Sequence, residues 1–291
     1  MSYLIDTHCH LHDPEFFTAE QAEEMVKRAH EKGVKKIVCI GTSHEDSLVA
    51  RDFAAQHENI YWTYGIHPEE AGRVLPEPIF SDVRLEFLST SYAGTPTEPS
   101  LRDEPVGSVR NIRVKNSNHV IHPKKQVSTT RPVAIGEVGL DYHYEGYDRD
   151  AQIKLFEGML QLATDHDLPV SFHVREAFSD FFAVISNFPK IKGVVHSFSD
   201  NKKNLKRILN ETNFYVGVNG LATYTTLPLP PLERILLETD APFLTPKPFR
   251  GIINEPGYIY NIAKWLSEKM AMEFSEVENE TTKNAKRLFD F

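Results

Sequence analysis

Short apolar runs recur along the chain, and after most of them apolar positions return every three or four residues. The runs read as strands covered on both faces and the longer stretches as amphipathic helices, the alternation expected of parallel βα units. The runs predict strands at residues 3–7, 36–40, 60–66, 133–136, 170–173, 193–196, 214–218 and 235–238. The longer periods predict helices at 18–32, 43–56, 81–90, 148–166, 176–187 and 201–210, and two closing helices at 257–270 and 275–289. Thr18 and Gln21 have capping-box spacing, and Gly33 follows the same helix as a stop. Eight strands with helices between them predict an α/β fold, a (β/α)8 TIM barrel, with a doubly wound sheet as the alternative.

Two stretches break the pattern. Residues 93–131 are rich in Pro, Ser, Thr, Asn and Lys without a sustained period, and read as an irregular insertion within one domain spanning residues 1–291. Residues 221–232 hold prolines at 228, 230 and 231, which leaves no room for a full crossover helix.

Composition narrows the function classes. With 41% hydrophobic and 25% charged residues, the 291-residue chain has material for a large core and is not a disordered sequence. A net charge of −9 argues against broad electrostatic capture of nucleic acid, so a phosphodiester substrate would need cations and a local basic patch. Cys9 and Cys39 lie in apolar strand-like runs and read as buried thiols. No charged segment followed by a long apolar run opens the chain, and no stretch approaches the ~20 apolar residues of a membrane span. A cytoplasmic monomer with no membrane contact is expected.

In a barrel the chemistry sits where strands end. His8 and His10, in D-T-H-C-H, are two residues apart in an extended segment, which points both imidazoles to one face. Such a pair alone is as readily incidental as functional. Five further residues recur at equivalent strand ends: His67 in Y-G-I-H-P, Glu137 in A-I-G-E-V-G-L-D, His173 in V-S-F-H-V-R, His196 in V-V-H-S-F-S and Asp240 in I-L-L-E-T-D-A-P. Imidazoles and carboxylates around one rim are costly unless cations order them. Two ions about 3.5–4 Å apart would use the whole set, with Glu137 as the bridging carboxylate.

Over nearly its whole length the chain resembles the TatD-related metal-dependent deoxyribonucleases of the amidohydrolase-like barrel superfamily. The blocks D-T-H-C-H-L, G-I-H-P, A-I-G-E-V-G-L-D-Y, H-V-R-E-A, H-S-F-S, L-L-E-T-D-A-P-F-L, R-G-I-I-N-E-P and T-T-K-N-A-K-R-L-F occur in that order. The resemblance implies that His8, His10, Glu137 and Asp240 hold one ion while Glu137, His173 and His196 hold the other. It also implies hydrolysis of nucleic acid, often as a 3′-to-5′ DNA exonuclease with magnesium, although this ligand chemistry suits manganese or zinc better. The residues 93–131 are extra to the family pattern, and the stretch between Gly220 and Glu238 is shorter.

The expected mechanism uses a water activated by two metals, with Asp240 and Glu137 as catalytic carboxylates and Glu238 as a weaker alternative base. His67, Arg175, Arg250 and Asn254 are candidates to hold the substrate phosphate. Tyr142, Tyr144 and Phe198 are candidates for base stacking, with packing as the alternative. His12 is expected to be exposed. Two competing readings stand beside the nuclease: a binuclear amidohydrolase acting on a small amide or ester, aminoacyl-tRNA included, and a non-catalytic binding barrel.

Overall fold

The computed structural model describes residues 3–72 and 131–291. The helix expected at 81–90, and all but the last residue of the insertion expected at 93–131, lie outside them.

The first half runs β1 (Leu4–Cys9), α1 (Ala19–Glu31), β2 (Val34–Cys39), α2 (His44–Ala54), β3 (Ile60–Tyr64) and β4 (Ala134–Asp141). The second half continues α3 (Arg149–Asp165), β5 (Val170–Arg175), α4 (Phe178–Ile185), β6 (Gly193–Val195), α5 (Lys202–Glu211), β7 (Tyr215–Val218) and β8 (Ile235–Leu237). Two helices, α6 (Ile259–Met270) and α7 (Phe274–Phe289), end it. The eight strands pair in chain order, each parallel to the next. Backbone and side-chain bonds then join the last strand region to the first. Thr7 Oγ1 donates to Leu237 O at 2.9 Å, Asp240 N to His8 O at 2.8 Å, and His10 N to Ala241 O at 2.8 Å. This is the (β/α)8 TIM barrel, and its closure brings the two ends of the sequence pattern, D-T-H-C-H and E-T-D-A-P, against each other.

Helix starts follow local chemistry. Thr18 N donates to Gln21 Oε1 at 2.9 Å while Gln21 N donates to Thr18 Oγ1, a reciprocal cap. Ser43, Asp148 and Asn201 accept backbone N–H groups in the same way at α2, α3 and α5. Helices of such a barrel start on the side where strands end, so these caps pin the loops that carry the site. Between β7 and β8 only 3-10 turns occur, at Gly220–Thr223 and Leu232–Arg234, as the prolines require.

One strand is longer than its pattern suggests. β4 continues to Asp141, so Glu137 lies in mid-strand and not at its end. Gly136 and Gly139 have positive φ of 153° and 152°, and a Cβ at Gly139 would overlap the carbonyl of His173. The glycines permit a close approach of β4 to β5.

Outside the barrel wall, Phe172 packs against Phe156, Phe181 and Phe214 with ring centroids 6.1, 5.2 and 4.8 Å away. The Phe156 and Phe181 contacts are edge to face, a packing that adds about 0.5–1.5 kcal/mol per pair to simple burial. Cys9 and Cys39 are adjacent in register on β1 and β2, buried and free, as expected. No helix among the described residues is long and apolar enough to cross a membrane.

Candidate metal centre

At the mouth of the barrel His8, His10, His67, Glu137, His173, His196 and Asp240 converge, although they come from six different strands or the loops just after them. Glu137 is the hub. Its Oε2 lies 3.4 Å from His8 Nε2 and 4.0 Å from His10 Nε2. Its Oε1 lies 2.6 Å from His173 Nδ1, 3.4 Å from His196 Nε2 and 3.8 Å from His67 Nε2. Asp240 Oδ1 stands 3.6 Å from both His8 Nε2 and His10 Nε2. Three overlapping donor groups result, each with donor atoms within 4.8 Å of one another: His8, His10 and Glu137; His8, His196 and Asp240; His67, Glu137 and His173. The His8 and His196 rings stack at 3.7 Å, and His196 groups with His8 and Asp240 as well as standing 3.4 Å from Glu137.

Behind the cluster each imidazole has its second nitrogen beside a partner. His10 Nδ1 faces Ile40 O at 3.1 Å and His8 Nδ1 faces Ser171 Oγ at 3.4 Å. His173 Nε2 meets Asp141 Oδ2 at 2.9 Å, and His196 Nδ1 lies 3.3 Å from Glu238 Oε1. Outer partners of this kind orient a ligating ring and raise its basicity. Asp141 was not singled out from the sequence. The signal available was the D of G-L-D-Y, two residues along β5's neighbour from His173's register partner Gly139. Glu238, considered as an alternative base, is completely buried behind His196, and its Oε1 accepts Ser197 N at 2.6 Å.

The charges are interlocked. Burial alone would raise the Glu137 carboxyl, but His196, His173 and His8 outweigh it and hold it well below the usual range. Asp240 follows the same balance, with burial opposed by His10, His196 and His8. Burial would likewise depress His173, yet its hydrogen bonds to Asp141 and Glu137 lift it to about 9. For His196, Glu238 and Glu137 overcome burial and lift it to about 10. His67 goes the other way: burial and the neighbouring His173 push it down to about 4, so its ring is neutral. Asp240 also has φ of 58°, an uncommon backbone conformation that aspartate tolerates better than most residues and that collects at functional sites.

The remaining expectations divide. Arg175 sits two residues beyond His173 at the end of β5, with its guanidinium over the Tyr144 ring at 5.2 Å and bonded to the Tyr144 hydroxyl. Arg250 is exposed but lies over Tyr224 at 5.4 Å, outside the cluster. Asn254 corrects the sequence reading: it is fully buried, and its amide donates to Thr239 O at 2.8 Å and Phe243 O at 2.6 Å. With its Oδ1 accepting Glu255 N, it ties down the loop carrying Asp240 and has nothing left for a phosphate. Phe198 is buried against Phe178 and serves the core. Tyr142 donates to Asp180 and stacks on Tyr147. His12 is buried, not exposed, because Asp46 accepts at 3.0 Å from its Nε2.

The family profile described as TatD related DNase matches residues 5–290. An uncharacterized metal-dependent hydrolase, YabD of Bacillus subtilis, is 30% identical over 98% of this chain and 98% of its own length. A protein named 3′-5′ ssDNA/RNA exonuclease TatD, from Erwinia tasmaniensis, is 28% identical over 94% of this chain and 95% of its own. The crystal structure of YjjV, a TatD homolog from Escherichia coli K12, superposes with a TM-score of 0.77 at 24% identity, covering 99% and 98% of the two chains. The chain belongs to the TatD related DNase family and is a metal-dependent hydrolase.

Proposed function

We propose that the chain hydrolyses phosphodiester bonds of nucleic acid, as a 3′-to-5′ DNA exonuclease, using two divalent cations. The observation that carries this reading is the division of Glu137, which turns one oxygen toward His8 and His10 and the other toward His173 and His196. A carboxylate so divided suits a bridge between two ions. The residues fit such a group on a second count: His8 Nε2 is buried without a hydrogen-bond partner among the described residues, yet faces Glu137 and Asp240. Mixed imidazole and carboxylate donors accept manganese or zinc readily, and magnesium less so.

In this proposal His8, His10, Glu137 and Asp240 hold one ion and Glu137, His173 and His196 the other. When bound, the cations supply an acidified water and neutralise the charge gathering on phosphorus. Asp240, ionised by its imidazole neighbours, accepts the proton of the attacking water. His67 is placed to donate. Its Nδ1 accepts Glu69 N at 3.3 Å, so the neutral ring carries its proton on Nε2, the atom facing the cluster. A phosphate oxygen is a suitable acceptor there, with Arg175 as a further cation at the mouth. Lys202, Lys203 and Lys206 on α5 would add attraction for the chain of phosphates, while Arg207 on the same helix is paired with Glu211.

The Erwinia relative's name points to the same substrate class. The test is purified protein with end-labelled DNA, RNA and aminoacyl-tRNA under magnesium, manganese and zinc. Stepwise shortening of DNA from the 3′ end is expected. Release of only the aminoacyl group would favour the amide or ester reading, and no release from any nucleic acid would defeat the nuclease.

A further inference from the structure

Two exposed aromatic side chains stand beside the metal centre without a role in it. Phe16 is 41% and Phe243 48% exposed, and their rings meet edge to face at 5.2 Å. Phe243 also approaches the His10 ring at 6.4 Å. Apolar groups that touch one another in water beside a polar cluster form a contiguous patch, the kind of surface that marks a ligand-binding site.

Both are held in place. Phe243 N donates to Asp240 O at 2.8 Å and its carbonyl accepts the Asn254 amide, so its position is coupled to a candidate ligand. Phe16 N donates to Asp13 O, while the next residue, Phe17, is buried in the core and anchors the turn. The segment with Ile252 and Ile253, exposed by 55% and 59%, folds back on the same loop through Thr245 Oγ1 to Ile252 O at 2.6 Å and Asn254 N to Pro242 O at 3.1 Å. A preset aromatic pair, ordered at little entropic cost, is the form a stacking surface takes.

We propose that Phe16 and Phe243 form a platform on which the unpaired nucleobase next to the scissile phosphate stacks, an inference that rests on the nuclease reading above. A base within a duplex has its faces covered by its neighbours, and only an unstacked base offers one to a protein ring. The platform therefore selects single-stranded ends, and does so for any base, because each has an aromatic face.

The full-length protein loaded with manganese would be given end-labelled oligothymidylates that carry either a natural nucleotide or an abasic tetrahydrofuran residue at one terminus or the other. Stacking of one base contributes about 5- to 150-fold. The wild type should prefer the natural end it attacks by a factor in that range, and F16A/F243A should lower kcat/KM on that end about tenfold more than on its abasic counterpart. F243L, which keeps the bulk and loses the ring, should fall between. A terminal 2-aminopurine should be quenched on binding to wild type and less so on the double variant. An unchanged ratio of natural to abasic ends in F16A/F243A overturns the platform. So does a loss of activity that tracks dissociation of an oligomer in sedimentation, since the pair would then serve contact between copies. Wild-type protein inert on every oligonucleotide defeats the nuclease reading and the platform together, whereas turnover with an unchanged ratio defeats the platform alone.

Discussion

Adding a divalent cation back to the chelated protein should release protons. With only protein groups around them, His173 and His196 are lifted to about 9 and about 10, so both are cationic through the neutral range. Geometry supports the charge on His173, whose two nitrogens face carboxylate oxygens at 2.6 and 2.9 Å, an arrangement that only a doubly protonated ring satisfies fully. His8 is depressed by burial and enters ligation without a proton to lose. A ligating imidazole must be neutral, so filling both halves of the site displaces at least two protons. The overall association constant should then climb about 100-fold between pH 7 and 8, which is ~2.7 kcal/mol, and about 50-fold between 8 and 9 as His173 begins to lose its proton unaided. Calorimetric titrations with manganese at one pH, in two buffers of different ionisation heat, give the proton count directly. Stability offers an independent check. Both rings bind protons more tightly in the folded chain than at their ordinary value of about 6.5, so they stabilise the chelated fold below that pH and cease to as pH rises through 9 and 10. The chelated protein should accordingly lose melting temperature over that window, and metal-loaded protein should lose much less. Release of fewer than one proton, or an affinity flat with pH, would refute the reasoning.

Other perturbations address separate links. Glu137→Gln, which removes the charge facing both imidazole pairs, should cut turnover by more than about 100-fold and reduce the metal retained after gel filtration, measured by elemental analysis; full metal content with lost turnover would remove Glu137 from the ligand set. Glu238→Gln leaves His196 without its carboxylate and should weaken metal affinity about 10- to 100-fold. If calorimetry finds the affinity unchanged, Glu238 does not act through His196. Asn254→Ala strips the amide from the buried Thr239 O and the partly buried Phe243 O, and should lower stability in urea by about 2 kcal/mol. Thr18→Ala removes only the cap of α1, so urea titration should show a loss of about 1 kcal/mol while kcat stays at the wild-type value.

Element order was open to the sequence because it is local information. A strand covered on both faces and a helix with one apolar stripe each leave their period in a few neighbouring residues, and caps such as Thr18 with Gln21 announce themselves within one turn. The convergence of His8, His10, His67, Glu137, His173, His196 and Asp240 followed from that order, since a closed barrel gathers its strand ends at one mouth. Tertiary structure alone decided what surrounds each of these groups. Thr7 meets Leu237 across 230 residues of chain, and only that closure sets His8 and Asp240 face to face. Whether Glu238 orients a ring or takes a proton depends on what is packed behind it, as does the difference between a buried Asn254 and a phosphate-binding one. Exposure of Phe16 beside buried Phe17 is the same kind of fact. The two residues are identical in a sequence pattern, and they differ only in which side of a turn the rest of the fold covers.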